Sequence, residues 1–409
     1  MGNLTTGLLG ALVIGGLGSW LFLWTAKREG ERWLGYLLIA SLALKLLVVF
    51  VVSPVYYGHY TVNDSNGYDA LAITFAQHLK QGQWIPPNVG FNVAIYSYLT
   101  GMVYALFGPS RWLMEVLNAF ISTLGVLFFY KGLKLALPPR QVKPAIYLIA
   151  LMPSLLLWNS LHLRDPWMFF SVGLFTYGAA MSMGKRWLRP LVVLVLALVS
   201  MRLFRCYVGG VGVVAAIPLI ILFKSRDRGR RALVIHVFGS VILGLIGVYL
   251  FWGAWTCTVG SQGLSPELLQ QTQNALATGR SALIFGRFAS WWDLLRYLPQ
   301  GLLNVLFRPF PWEAYNLPGL LASLENVLLF VLLIISLPRW LQLLRREGRP
   351  LWPGWAFLIL LTGLFAIFEG NLGTIFRQKA QLMPFLLTLG ALGLGPLWER
   401  LRAGSKETV

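Results

Sequence analysis

The chain has 409 residues, 57% of them hydrophobic and only 12% charged, with a mean hydropathy of +0.66. A water-soluble globule carries roughly 45–50% apolar and about 25% charged residues, so a soluble enzyme, a disordered chain and a disulfide-framed secreted domain are excluded. The formal charge of +19 first suggests an anionic polymer, but the cations come in short bursts between apolar runs, as in cytoplasmic membrane loops, and no nucleic-acid partner is expected.

A membrane-spanning helix needs about 20 mostly apolar residues. The expected fold class is therefore an all-α polytopic membrane protein of about 11 transmembrane helices, with residues 1–409 forming one integral-membrane domain. The spans are expected at 4–24, 33–55, 112–130, 145–161, 166–183, 188–204, 207–223, 233–255, 317–337, 351–368 and 381–397. Two further apolar stretches, 91–107 and 301–310, are read as interfacial or re-entrant pieces. With that assignment one set of alternate loops holds 22 of the 34 Lys and Arg, which orients the N-terminus outside and the C-terminus in the cytoplasm. No cleavable leader is expected.

Two outer segments are long, 56–111 and 256–316. Residues 68–80 repeat Leu71, Phe75 and Leu79 on one helical face and predict a membrane-surface helix. The 266–298 stretch has the same character and is broken at Gly279 and Gly286. Tryptophans near span ends, among them Trp24, Trp33, Trp112 and Trp340, read as interfacial anchors among membrane lipids. Gly15-Gly16-Leu17-Gly18 and Gly209-Gly210-Val211-Gly212 read as helix-packing contacts. Lys45 falls inside a span, where an acid such as Glu115 or Glu325 is its expected partner. Cys206 and Cys257 both land at outer ends, which leaves a disulfide between them open.

The unusual polar residues gather on the outer side: Asn63 to Asp69, His162-Leu163-Arg164-Asp165-Pro166, Arg202 and Arg205, Arg308 to Glu313, and Glu369 with Arg377-Gln378-Lys379. Ionisable groups at membrane depth face a cavity or a partner. A carboxylate can take the proton of an incoming hydroxyl, and cations can stabilise a phosphate leaving group, Arg through two parallel bonds. The set suits sugar transfer from a lipid-linked phosphate. Plainer roles stand beside each. Asp64 sits in turn-forming sequence; Asp165 precedes a proline as an N-cap does; Arg377 and Lys379 suit interfacial anchors. Arg202 and Arg205 suit headgroup contacts, and His162 suits a satisfied interface histidine. Arg308 and Glu313 flank a rigid Pro-Phe-Pro-Trp turn. They, with His162, Arg164 and Glu369, are candidate substrate contacts.

Asp64-Ser-Asn-Gly-Tyr68-Asp-Ala-Leu-Ala72, followed by Gly82-Gln-Trp84-Ile-Pro86, Leu106-Phe107-Gly108 and Arg164-Asp165-Pro166, resembles the outer loops of GT-C membrane glycosyltransferases. The similarity is to the polyprenyl-phosphate-sugar branch, that of protein O-mannosyltransferases and lipid A aminoarabinose transferases, and covers about residues 33–185. It implies Asp64 as the base that activates the acceptor, with Asp69 as its stand-in. Asp165 would support it, or Asp64 and Asp165 together would hold a divalent metal, Mg or Mn. Arg377 and Lys379 would grip the donor phosphate; apart from the resemblance, Arg202 and Arg205 are further candidates for that contact. The Lys-Pro-Pro-like element of that branch is replaced here by Pro86-Pro87-Asn88 and Phe91-Asn92.

The function expected from sequence is inverting transfer of a sugar from a polyprenyl-phosphate donor to a glycan, lipid or protein acceptor, on the extracytoplasmic side of the cell (inner or plasma) membrane. A polymerase or ligase using polyprenyl-diphosphate donors and outer-face Arg is the alternative. A transporter or flippase is a weaker one, because no paired repeat is visible.

Overall fold

A computed structural model describes residues 3–59, 63–84, 89–184, 188–224, 265–277, 281–283, 288–314, 316–342 and 351–404. The expected span 233–255, the cations of 226–231, Cys257, and the breaks at Gly279 and Gly286 lie outside the described residues. Cys206 is disulfide-bonded.

The described residues are helical throughout, with a single isolated bridge between Ala282 and Asn371. Helix α1 (Leu4–Glu29) starts at Asn3, whose side chain accepts from Thr5 N, and stops at Gly30 with φ +73°. Helix α2 (Arg32–Leu47) runs through a π turn (Val48–Val52) into α3 (Ser53–His59). Then come α4 (Asn63–Lys80), α5 (Phe91–Phe107) and α6 (Arg111–Ala136). The middle of the chain holds α7 (Pro139–Leu151), α8 (Pro153–Trp158), α9 (Asp165–Met181), α10 (Leu188–Phe204) and α11 (Cys206–Lys224). The remainder is α12 (Pro266–Leu276), α13 (Trp291–Phe307), α14 (Leu317–Gln342), α15 (Trp352–Phe368), α16 (Leu372–Gln378) and α17 (Met383–Gly404).

Among the described residues four helices are long and apolar enough to cross a membrane: Leu4–Glu29, Arg32–Gly58, Arg111–Ala136 and Leu317–Trp340. Their outward faces expose Leu12, Leu17 and Trp20 on α1 and Leu321, Leu324 and Ile335 on α14, an apolar surface that water would penalise and hydrocarbon accepts. Helix α6 is the most buried of these four. Its Gly125 carbonyl stands 2.6 Å from where a Cβ on Gly173 of α9 would sit, so only glycine permits that approach of two backbones. Gly209 and Gly212 likewise touch α10, at Arg202 and Leu198, whereas Gly16 faces open space.

Three expectations need correcting. The span at 145–161 is not one helix: α7 starts at Pro139 and the chain breaks at Met152, because Pro153 has no N–H to continue the ladder. Asn63 to Gly67 form the first turns of α4 rather than a loop, and that helix buries Tyr68, Ala72, Phe75 and Ala76, a face rotated from Leu71 and Leu79. Lys45 donates to Thr123 Oγ1 at 3.2 Å and lies over the Phe169 ring. Glu115 accepts instead from Ser53, and Glu325 from Ser154.

Candidate functional site

Four elements deliver charge to one place. Asp64 comes from the first turn of α4 and Asp165 from the first turn of α9. Arg205 is the residue between α10 and α11, and Arg377 lies in the last turn of α16. Asp165 does not cap its helix: the N-cap position is Arg164, which makes no side-chain capping bond. The Asp165 carboxylate, 1% exposed, accepts from Arg205 Nη2 at 2.8 Å and from Arg377 Nε at 2.8 Å. Arg377 also donates through Nη1 to Asp64 at 2.7 Å, and Asp64 keeps 49% of its side chain exposed.

A second tier holds these groups. Arg205 Nη1 donates to Tyr207 Oη at 3.0 Å, and Tyr207 donates to Gln378 Oε1 at 2.7 Å. Arg164 donates to the Phe204 carbonyl at 3.2 Å and lies over the Tyr68 ring. Burial lowers a guanidinium, but Tyr207 and Asp165 more than offset it and hold Arg205 above its usual range. Arg377 is held up in the same way by Asp165 and Asp64. Three guanidinium groups meet two aspartates here, so the cluster is cation-rich. Arg164 Nε and Arg205 Nε are buried without an acceptor among the described residues.

Asp64 and Arg377 open onto a cavity of about 440 Å³. Tyr56, Trp158 and Phe376 give it aromatic walls; Glu313, Asn371 and Ser281 give it polar ones. Asn371 caps α16, accepting from Gly373 N at 2.9 Å and Thr374 N at 3.3 Å, and also from Ser281 Oγ at 2.9 Å. Arg308 donates to Glu313 through Nε at 3.0 Å, and Glu313 stands on the cavity wall. The Ser281 bond and the Ala282–Asn371 bridge join the 281–283 stretch to the start of α16.

The other predicted residues divide. His162 is fully buried among Tyr68, Tyr96 and Thr100, and burial pushes its imidazole down to about 3, so it is neutral. Glu369 is buried at the end of α15 within the field of Arg205 and Arg377, and burial pushes it up to about 7. Three candidates are absent from the cluster. Asp69 accepts from Tyr104 at 2.5 Å and Arg111 at 3.2 Å. Lys379 donates to the Leu306 carbonyl and to Asn326 Oδ1 at 2.7 Å. Arg202 lies over the Phe91 ring. Asn371 and Gln378 fall in the outer polar groups Glu369-Gly370-Asn371 and Arg377-Gln378-Lys379, whereas Tyr207, Tyr56, Trp158 and Ser281 are not singled out by sequence. Tyr207 follows Arg205 by two residues; Tyr56, Trp158 and Ser281 carry no local signal.

The donor set does not fit a divalent metal as it stands. Both carboxylates expected to hold one are engaged by the Arg377 guanidinium, and no group of three His, Cys, Asp or Glu is gathered among the described residues. Compared with protein-family models, with curated proteins and with solved structures, the chain matches none.

Proposed function

We propose that this chain is a GT-C-like membrane glycosyltransferase, moving one sugar from a polyprenyl-phosphate donor to an acceptor hydroxyl on the extracytoplasmic side of the cell membrane. One observation carries the reading: a half-exposed aspartate and a guanidinium share a cavity wall, backed by a buried Asp–Arg network. The wider topology is eleven crossings, with the N-terminus outside.

The step is a direct displacement. The acceptor oxygen bonds to the anomeric carbon, the bond from that carbon to the phosphate oxygen breaks, and the hydroxyl proton passes to Asp64. The departing phosphate changes from diester monoanion to monoester dianion. Arg377, on the cavity wall, would offset that extra charge, with Arg205 behind it across Asp165, and the aromatic walls suit the apolar faces of a sugar ring. Asp165 reacts with nothing; it fixes both guanidinium groups. No step is routed through a metal.

The test uses purified protein, a polyprenyl-phosphate sugar and detection of the released polyprenyl phosphate. Asp64→Asn should lower turnover by about 100-fold or more; full activity removes Asp64 from the role. A polyprenyl-diphosphate-dependent polymerase or ligase is the second reading, favoured by the unpaired Arg164 and Arg205 Nε donors. It gains the argument if Arg205 and Arg377 prove essential while Asp64 and Asp165 are dispensable.

A further inference from the structure

At the opposite end of α2 from the Asp–Arg cluster, the turn joining α1 to α2 encloses a second cavity, of about 380 Å³. It is lined by Leu23, Ala26, Lys27, Gly30, Arg32 and Tyr36. The acids of this turn are engaged elsewhere. Glu29 pairs with Lys134 at 3.1 Å and Lys131 at 3.9 Å, and Glu31 accepts from Trp33 Nε1 at 2.5 Å. Among the described residues neither Lys27 nor Arg32 makes an ion pair. Helix α2 also begins here without a side-chain cap, so its first N–H groups add positive potential to the two cations.

The cavity is two-sided. Lys27 and Arg32 supply charge, while Leu23 and Tyr36, 45% and 67% exposed, supply an apolar side. The helices that meet here are two of those long enough to cross, which puts the turn at headgroup depth. Arg28 stacked over Trp24 at 4.0 Å marks the same interface.

We propose that this cavity binds one anionic glycerophospholipid from the surrounding leaflet. Its phosphate would lie against Lys27, Arg32 and the start of α2, and its acyl chain along Leu23 and Tyr36. Free phosphate satisfies the cations but leaves the apolar side wet, so the charge and the apolar face together select a lipid. The proposal is independent of the glycosyl-transfer reading.

The experiment measures lipid retained by the purified full chain, by native mass spectrometry after equilibration with phosphatidylglycerol or phosphatidylcholine. Two cations at headgroup depth should give a preference of about thirtyfold for phosphatidylglycerol. Lys27→Gln with Arg32→Gln should abolish it, either exchange alone should leave about sixfold, and Arg140→Gln, an exposed cation at the start of α7, should change nothing. The single exchanges keep the test valid if the double variant fails to fold. Equal retention of the two lipids by the wild-type chain, or a preference that survives in both single variants undiminished, overturns the proposal. Loss of phosphatidylglycerol on adding inorganic phosphate also overturns it, by assigning the cavity to a free anion.

Discussion

Arg377 bonds to Asp165 at 2.8 Å although 212 residues separate them in the chain. That contact closes the site, because the same guanidinium reaches Asp64 from its other edge and Arg205 holds the second oxygen of Asp165. Asp165 is thus a buried anion between two cations. Its attraction to both offsets its desolvation only while both remain.

Breaking this arrangement from the anionic side should be costly. Asp165→Asn strands Arg205 and Arg377 with uncompensated charge and should destabilise the protein by about 3–5 kcal/mol. Arg205→Gln removes one of those charges, so the double variant should lose less than the two single losses added together. Thermal unfolding of the four proteins in one detergent measures the coupling; strict additivity would show that the pair does not interact.

The two aspartates of α4 should separate by phenotype. Asp69 is tied to Tyr104 and Arg111, a link from α4 to α5 and α6, and does not reach Arg377. Asp69→Asn should cost about 1–3 kcal/mol of stability and leave turnover per folded molecule within about threefold of wild type. Asp64 makes one exposed bond to Arg377, so Asp64→Asn should keep the melting temperature and lose turnover. The reversed pattern would move the base to Asp69.

Glu369 gives the site a dependence on pH. Burial raises its carboxyl from 4.5 to about 7, against the smaller opposing pull of Arg205, Gln378 and Arg377. Between about pH 4.5 and pH 7 the folded protein keeps a proton that the unfolded chain has released. Stability from this group is therefore present at low pH, falls as pH rises through that window, and stays lost above it. Glu369→Gln does not titrate, so its melting temperature relative to wild type should rise from pH 5 to pH 8. A difference equal at both pH values would show that Glu369 is ionised throughout.

How far the sequence reaches depends on whether a signal is local. Asp64, Asp165, Arg205 and Arg377 are all among the polar residues the sequence marks, because ionisable groups at membrane depth are costly unless they meet a cavity or a partner, but the same reasoning marks Asp69, Arg202 and Lys379, which stand outside the cluster. The break at Met152 has a local mark in Pro153, which cannot donate a helical N–H, yet the expected span 145–161 runs through it. The π turn at Val48–Val52 has no such mark, because an all-valine and phenylalanine run has no residue that signals it. Nor could composition show that Lys45 takes Thr123 rather than an acid: that choice depends on the register between α2 and α6, a tertiary property.

Lys379 is the residue whose role the fold changes most. It stands two positions after Arg377, and residues so spaced project to nearly opposite sides of a helical turn. Arg377 faces Asp165, so Lys379 faces away, reaching the Leu306 carbonyl and Asn326 Oδ1. Asn326 in turn donates to the Pro309 carbonyl at 3.3 Å, and Arg308, the residue before Pro309, carries the pair with Glu313 on the cavity wall. Lys379 thus pins a turn rather than gripping phosphate. Lys379→Met should remove two buried hydrogen bonds and cost about 1–3 kcal/mol, while the affinity for a polyprenyl-phosphate sugar stays within about threefold of wild type. Arg377→Gln removes a charge-assisted contact and should weaken that affinity by tenfold or more. Donor binding and thermal unfolding measured on both variants decide the matter: donor affinity lost equally in the two would return Lys379 to the phosphate.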